Sequence, residues 1–251
     1  MVKNMSKTPE RPFHRARQRM VFLSSMALLA LSATMFFLDA PAADSKGVAP
    51  DPKADRMPHR NTLVANVTFV VFDTETTGFS PTYDRIVEIG AVKFRNGKVI
   101  DEKTWLINPK RWIPSWVVQV HGISNSDVKN APTFKDVYPE FDEFAQGAVL
   151  MAHNAKFDVS FMAAEMKRNG FKLPPNLVVD SLPLFRRWFP ASPSYTLEKV
   201  ASYAKIDTAT LHRALADSMY VYLIFEKALQ QRSDRMKLGE LYTDAGGPLS
   251  F

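Results

Sequence analysis

The chain has 251 residues, no cysteine and a net charge of +6. The missing cysteine excludes disulfides and thiolate metal sites. Residues 1–60 carry ten Lys and Arg against five Asp and Glu, so most of the excess positive charge lies in the first quarter of the chain. The remainder is close to neutral, and nucleic-acid binding cannot be read from overall charge.

In chain order, residues 1–19 are basic, Met20–Leu38 run without a charge, and 39–62 are rich in Ala, Pro and Asp. Basic, then apolar, then small residues is the order of a secretory signal. The apolar run is also just long enough to span a bilayer. Arg11, Arg15, Arg17 and Arg19 precede it, and the positive-inside rule keeps such residues cytoplasmic. The expectation is a signal core or transmembrane anchor over 20–38 and a disordered linker over 39–62. The domain that follows is then placed outside the cytoplasm, in the periplasm or membrane-anchored facing it. The alternative is a cytoplasmic protein starting at Met57.

Residues 63–232 read as one α/β domain. The run 67–72 is β-branched and aromatic, a buried strand. Residues 85–109 read as two strands joined at Asn96-Gly97, a hairpin dipeptide. Phe134, Val137, Phe141 and Phe144 have helical spacing; 147–153 is a short strand; the next helix ends at Gly170, a C-cap. Residues 177–180 form a fifth strand. Leu197, Val200, Ala201 and Ala204 share one helix face. The longest helical pattern places Leu211, Leu215, Ser218, Tyr222, Phe225 and Leu229 in register. Residues 233–251 have little core pattern and read as a loose tail.

The chemistry begins at Asp73 and Glu75. In a strand, residues i and i+2 share a face, so both acids project together from the end of a core strand. Adjacent carboxylates raise each other's pKa unless a cation sits between them. Asp158 falls in the first turn of a helix after a strand, where a carboxylate also gains from the helix dipole. Asp217 lies inside the last long helix, with His212 five residues earlier. Each has a bland reading alone: a loop pair, a helix cap, a surface histidine. Together they form a hard-oxygen set suited to Mg²⁺ or Mn²⁺. Two such ions about 3.5–4 Å apart clamp phosphoryl groups for cleavage.

The segments at 69–94, 120–124, 151–162, 178–190, 195–206 and 211–218 resemble, in order, the motifs of the DEDDh 3′–5′ exonucleases. That group includes the proofreading epsilon subunit of bacterial DNA polymerase III. The resemblance runs from about Thr68 to Gln230. It implies a ribonuclease H-like fold, a mixed five-stranded sheet flanked by helices, here as a single domain after an N-terminal apolar helix. It implies hydrolysis of single-stranded or frayed 3′ ends of DNA or RNA to nucleoside 5′-monophosphates, with two divalent cations, Mg²⁺ or Mn²⁺. In the family's roles, Asp73 bridges both ions, and Glu75 and Asp217 complete the site that binds the attacking water. Asp158 helps to hold the second ion, and His212 is the general base. Thr76, Thr77 and Phe79 would contact the terminal nucleotide; His121, Asn154 and Phe157 would help to shape its site. Trp105, Trp112, Trp116 and Trp188 could stack bases, but aromatic residues this numerous are more often core.

Two alternatives come from other classes. A catalytically silent nucleic-acid-binding module is disfavoured because all five catalytic positions are filled. A subunit tethered to a DNA polymerase lacks support in 233–251, which shows no clear amphipathic helix for a polymerase partner.

Overall fold

The β-branched and aromatic run forms strand β1 (Thr68–Thr76), which continues through the two acids. The computed structural model describes residues 57–207 and 212–251. After β1 come β2 (Ile86–Arg95) and β3 (Lys98–Leu106). Their turn residues Asn96 and Gly97 have φ of 51° and 68°, the left-handed pair that a two-residue hairpin requires. Then follow α1 (Ser115–His121), α2 (Asn125–Val128), α3 (Phe134–Ala145), β4 (Val149–Ala152), α4 (Lys156–Asn169) and β5 (Val178–Asp180). The remaining helices are α5 (Ser181–Trp188), α6 (Leu197–Tyr203), α7 (Ala214–Leu229) and α8 (Leu238–Asp244).

The strand order is β3-β2-β1-β4-β5. β1 runs antiparallel to β2 and parallel to β4, and β5 is parallel to β4. This is the expected mixed five-stranded sheet flanked by helices. Alternation along β1 divides the core into two layers. Phe69 and Val71 pack with Phe185, Val200, Val221, Phe225 and Leu241 from α5–α8. Val70 and Phe72 pack with Phe141, Phe161 and Met162 from α3 and α4. Phe225 of α7 lies against Phe69 and Phe94, at ring separations of 5.6 and 5.9 Å. Such pairs add about 0.5–1.5 kcal/mol each beyond burial, and they fasten α7 to the sheet. The first row, continued past Phe69 and Val71, is Asp73 and Glu75. The two acids therefore lie on the α7 side, and Thr74 faces α4.

Three expectations need correction. The tail is not loose: Leu238, Leu241 and Tyr242 of α8 are buried in the core. Leu249 exchanges two backbone hydrogen bonds with Val178, at 2.8 and 2.9 Å, along the outer side of β5. A seven-residue helix offers too few apolar repeats to stand out in sequence. Nor is the end of the linker disordered. The carbonyls of Arg60 and Thr62 accept from Gly239 and Leu238 at 2.8 and 2.9 Å, which pins residues 60–64 to the start of α8; 39–56 lie outside the described residues.

The third correction concerns placement outside the cytoplasm. Among the described residues no helix is long and apolar enough to cross a membrane. The longest described helix, α7, has 16 residues, short of the roughly 20 that a span needs. The run 20–38, on which the anchor, the signal peptide and the N-terminal apolar helix all rested, lies outside the described residues.

Candidate active site

Asp73 and Glu75 sit where β1 meets β2: Asp73 is opposite Gly90, and Glu75 is opposite Glu88. The first turn of α7 crosses directly over this pair of positions. A Cβ built on Gly90 would lie 2.0 Å from the backbone nitrogen of Leu215, so only glycine allows so close an approach. Glu88, buried in the apolar first part of β2 (residues 86–92), anchors the helix start. Its carboxylate accepts from the Arg213 guanidinium at 2.5 and 3.2 Å and from the Ala214 N–H at 3.0 Å. Ser218 Oγ donates to the Gly90 carbonyl at 3.0 Å.

Held in this way, Asp217 comes down beside the strand acids. Single oxygens of Asp73, Glu75 and Asp217 all lie within 4.8 Å of one another. Asp217 Oδ2 accepts from the His212 backbone N–H at 3.2 Å, and its Oδ1 is buried without a hydrogen-bond partner. Asp158 reaches the site from the α4 side. Its Oδ1 accepts from the Thr74 N–H at 3.0 Å and from Thr74 Oγ1 at 2.7 Å. Asp158 thus stands next to the three-carboxylate group rather than within it.

The electrostatics are those of crowded anions. Burial pushes Asp73 well above the usual carboxylate range, and Asp158, Glu75, Asp217 and Glu88 all push the same way. Glu75 is raised to about 8 by burial, then by Asp217, Glu88 and Asp158, with Arg213 opposing. Burial raises Asp158 to about 7 against its two bonds from Thr74. Asp217 is raised to about 6 by burial, with His212 acting against the shift. Arg213 is already committed to Glu88. Three convergent carboxylate oxygens, on residues that include an Asp217 whose buried Oδ1 has no hydrogen-bond partner, suit a divalent cation, which would relieve this repulsion.

The remaining predicted residues divide. His212 is exposed at the entry to α7, with φ of 61°. Thr76 and Thr77 are buried and structure the turn: Thr76 Oγ1 donates to the Gly78 carbonyl at 2.6 Å, and Thr77 Oγ1 donates to Asp84 at 3.1 Å. Phe79 projects into solvent. His121 is buried, and its Nδ1 accepts from the Ile123 N–H at 3.0 Å. Burial lowers its pKa, with the Thr76 backbone opposing. Asn154 is exposed with φ of 60° and borders a cleft of about 570 Å³ that Arg186 and Tyr195 also line. Phe157 is half-buried against Phe161 at 4.8 Å. The motif reading passed over Glu88, Gly90 and Arg213. A lone acid inside the apolar run 86–92 was the available signal, since a buried acid is almost always paired.

The RNase_T family model, an exonuclease model, matches residues 70–225. A DNA polymerase III PolC-type protein of Caldanaerobacter subterraneus subsp. tengcongensis is 43% identical over 163 residues, which make up 65% of this chain and 12% of that protein. The 3′-5′ exonuclease DinG of Bacillus subtilis is 37% identical over 164 residues, 65% of this chain and 18% of that one. The chain thus spans less than a fifth of the length of these curated relatives. In fold it resembles E. coli ExoI in a zinc-bound complex with ssDNA, with a TM-score of 0.61 at 19% identity over 66% of this chain and 41% of that one. It also resembles Exonuclease X in complex with 5′ overhanging duplex DNA, with a TM-score of 0.53 at 25% identity over 69% of this chain and 98% of that one.

Proposed function

The chain belongs to the RNase_T exonuclease family, and on that basis we propose that it is a metal-dependent 3′–5′ exonuclease that releases nucleoside 5′-monophosphates from DNA or RNA. The observation that carries this reading is the convergence of Asp73, Glu75 and Asp217 within 4.8 Å on the sheet face under α7. Oxygen donors without sulfur suit Mg²⁺ or Mn²⁺. Asp73, Glu75 and Asp217 would hold one ion, with Asp73 and Asp158 serving a second. When bound, the ions supply charge neutralisation at the scissile phosphate and a water of lowered pKa.

The chain's own residues do the rest. His212 takes the proton of the attacking water. Its backbone N–H on Asp217 Oδ2 couples the position of the base to that of a ligand. The turn that Thr76 and Thr77 structure, with Phe79 at its surface, follows Glu75 and brings the 3′-terminal nucleotide to the carboxylates; in this reading His121, Asn154 and Phe157 help to shape its site. His212→Ala is expected to lower turnover by roughly 10²–10⁴-fold, the usual worth of a general base. Metal affinity should barely change, because the bond to Asp217 comes from the backbone. Raising the pH should restore part of the rate. Activity within a few fold of the parent would remove His212 from this role.

The test is direct. With Mg²⁺ or Mn²⁺, 5′-labelled single-stranded DNA and RNA should shorten from the 3′ end with release of 5′-monophosphates. A 3′-phosphate or a circular strand should resist; equal cutting of circles would reassign the protein as an endonuclease. A second reading, proofreading beside a DNA polymerase, is favoured by one observation, the similarity to PolC-type proteins. Retention of a purified polymerase subunit on the immobilised chain would support it, and its flow-through would count against it.

A further inference from the structure

Among the described residues, five aromatic side chains are exposed, and four of them lie on two adjoining segments: Phe79 (76%) and Tyr83 (74%) on the loop after β1, and Trp112 (74%) and Trp116 (47%) on the loop before α1 and on its first turn. The fifth, Tyr203, is elsewhere. The two segments meet where Phe79 and Trp116 approach at 5.3 Å between ring centroids. They meet again where the Arg111 guanidinium donates to the Tyr83 carbonyl and pairs with Asp84 at 3.5 Å.

The exposure is not that of a slack loop. Asp84 accepts from Thr77 Oγ1 and from the Ser80 N–H at 3.1 and 3.0 Å. Arg168 donates to the carbonyls of Pro81 and Thr82. The backbone is clamped from within and from both sides, yet the rings point outward. Trp112 is likewise displayed by its neighbour: Ile113 is buried, and both its backbone groups bond the Asn125 side chain at 2.9 and 3.0 Å. Fixed, solvent-exposed rings beside the exposed Lys110 match an unpaired nucleic-acid strand, which offers π-faces to stack and phosphates to pair.

We propose that Trp116, Trp112 and Tyr83 form a stacking track for the unpaired bases upstream of the 3′-terminal nucleotide, which selects 3′ ends with several unpaired residues. This rests on the nuclease reading, because the track continues the loop that leaves the catalytic strand after Thr76 and passes through Phe79.

The test measures binding apart from hydrolysis. In EDTA, the full chain is titrated with 5′-fluorescein-labelled oligothymidylates of two, four and eight nucleotides, and with an eight-base-pair blunt duplex. Affinity should rise with single-strand length, and the blunt duplex should bind more weakly than the eight-mer. Trp112→Ala and Trp116→Ala should each weaken the eight-mer on the order of tenfold and flatten the length dependence, while Trp112→Phe keeps most of the affinity. Thermal denaturation of each variant checks the fold. A folded Trp112→Ala/Trp116→Ala double variant that binds the eight-mer like the parent would overturn the track. So would equal affinity for all strand lengths, the pattern expected of a protein-docking patch. Neither result bears on 3′-end hydrolysis, which is scored separately with Mg²⁺.

Discussion

Asp73→Asn is expected to abolish hydrolysis and, without metal, to make the protein more stable at alkaline pH. Asp73 is the acid that all four neighbouring carboxylates push upward. It is also the residue assigned to both ions. Removing one preorganised charge-stabilising group costs roughly 10²–10³ in rate, and the loss here should exceed that. The stability effect has the opposite sign. A carboxylate whose pKa is raised on folding binds protons that the unfolded chain has released, so stability falls as pH rises through that window. With unfolded carboxylates titrating near 4 and Glu75 at about 8, the metal-free protein should lose stability between about pH 4 and pH 8. An amide at position 73 carries no charge to repel, so Tm in EDTA at pH 8 should exceed that of the parent. Mg²⁺ or Mn²⁺ should raise the parent's Tm and change the variant's little. Retained activity, or a parent Tm in EDTA that is flat from pH 5 to pH 8, would count against the metal assignment.

Gly90→Ala should be the most damaging single-methyl change in the sheet. The added Cβ would meet the Leu215 nitrogen at 2.0 Å, the Ala214 carbonyl carbon at 2.2 Å and the Leu215 Cα at 2.5 Å. All three are backbone atoms, so no rotamer change relieves the clash, and α7 must lift by about an ångström. Lifting it strains the bonds from Glu88 and Ser218 and moves Asp217 away from Asp73. Overpacking typically costs about 1–3 kcal/mol and occasionally more; the upper end is expected here. Urea unfolding reads the stability. Metal titration of whatever remains folded should show weakened binding, because a ligand has moved. A variant with parental stability and metal affinity would mean that the helix is not seated on Gly90 as described.

Much of this was legible in sequence because period-2 and period-3.6 patterns report directly on burial. The Phe134, Val137, Phe141 and Phe144 series is buried as spaced. Asn96-Gly97 makes its hairpin, and the pairing of Asp73 with Glu75 follows from strand alternation alone. Other features depend on partners far along the chain. The α7 pattern begins at Leu211, yet the helix starts at Ala214, because Glu88, 126 residues away, accepts the Ala214 N–H. Asp158 reads as a helix-start acid, and its bonds to Thr74 cannot be seen in a linear motif. The four tryptophans look alike in composition; Trp105 and Trp188 are core and Trp112 and Trp116 are surface, a division that only the packing of the folded chain decides.

The seating of Asp217 on α7 also fixes when the cluster can exist during synthesis. Asp73 and Glu75 emerge early, in a strand that pairs with its neighbour β2 at once, whereas parallel pairing with β4 must await the crossover through α1–α3. Asp217 comes last, in the next-to-last described helix. Contacts so distant in sequence form slowly and only after the intervening chain has been ordered. Domains fold as units while the chain grows from its N-terminus, so a nascent chain that stops short of α7 has Asp73, Glu75 and Asp158 but lacks Asp217. This late helix therefore acts as a timer, and chemistry waits until α7 is seated on the sheet.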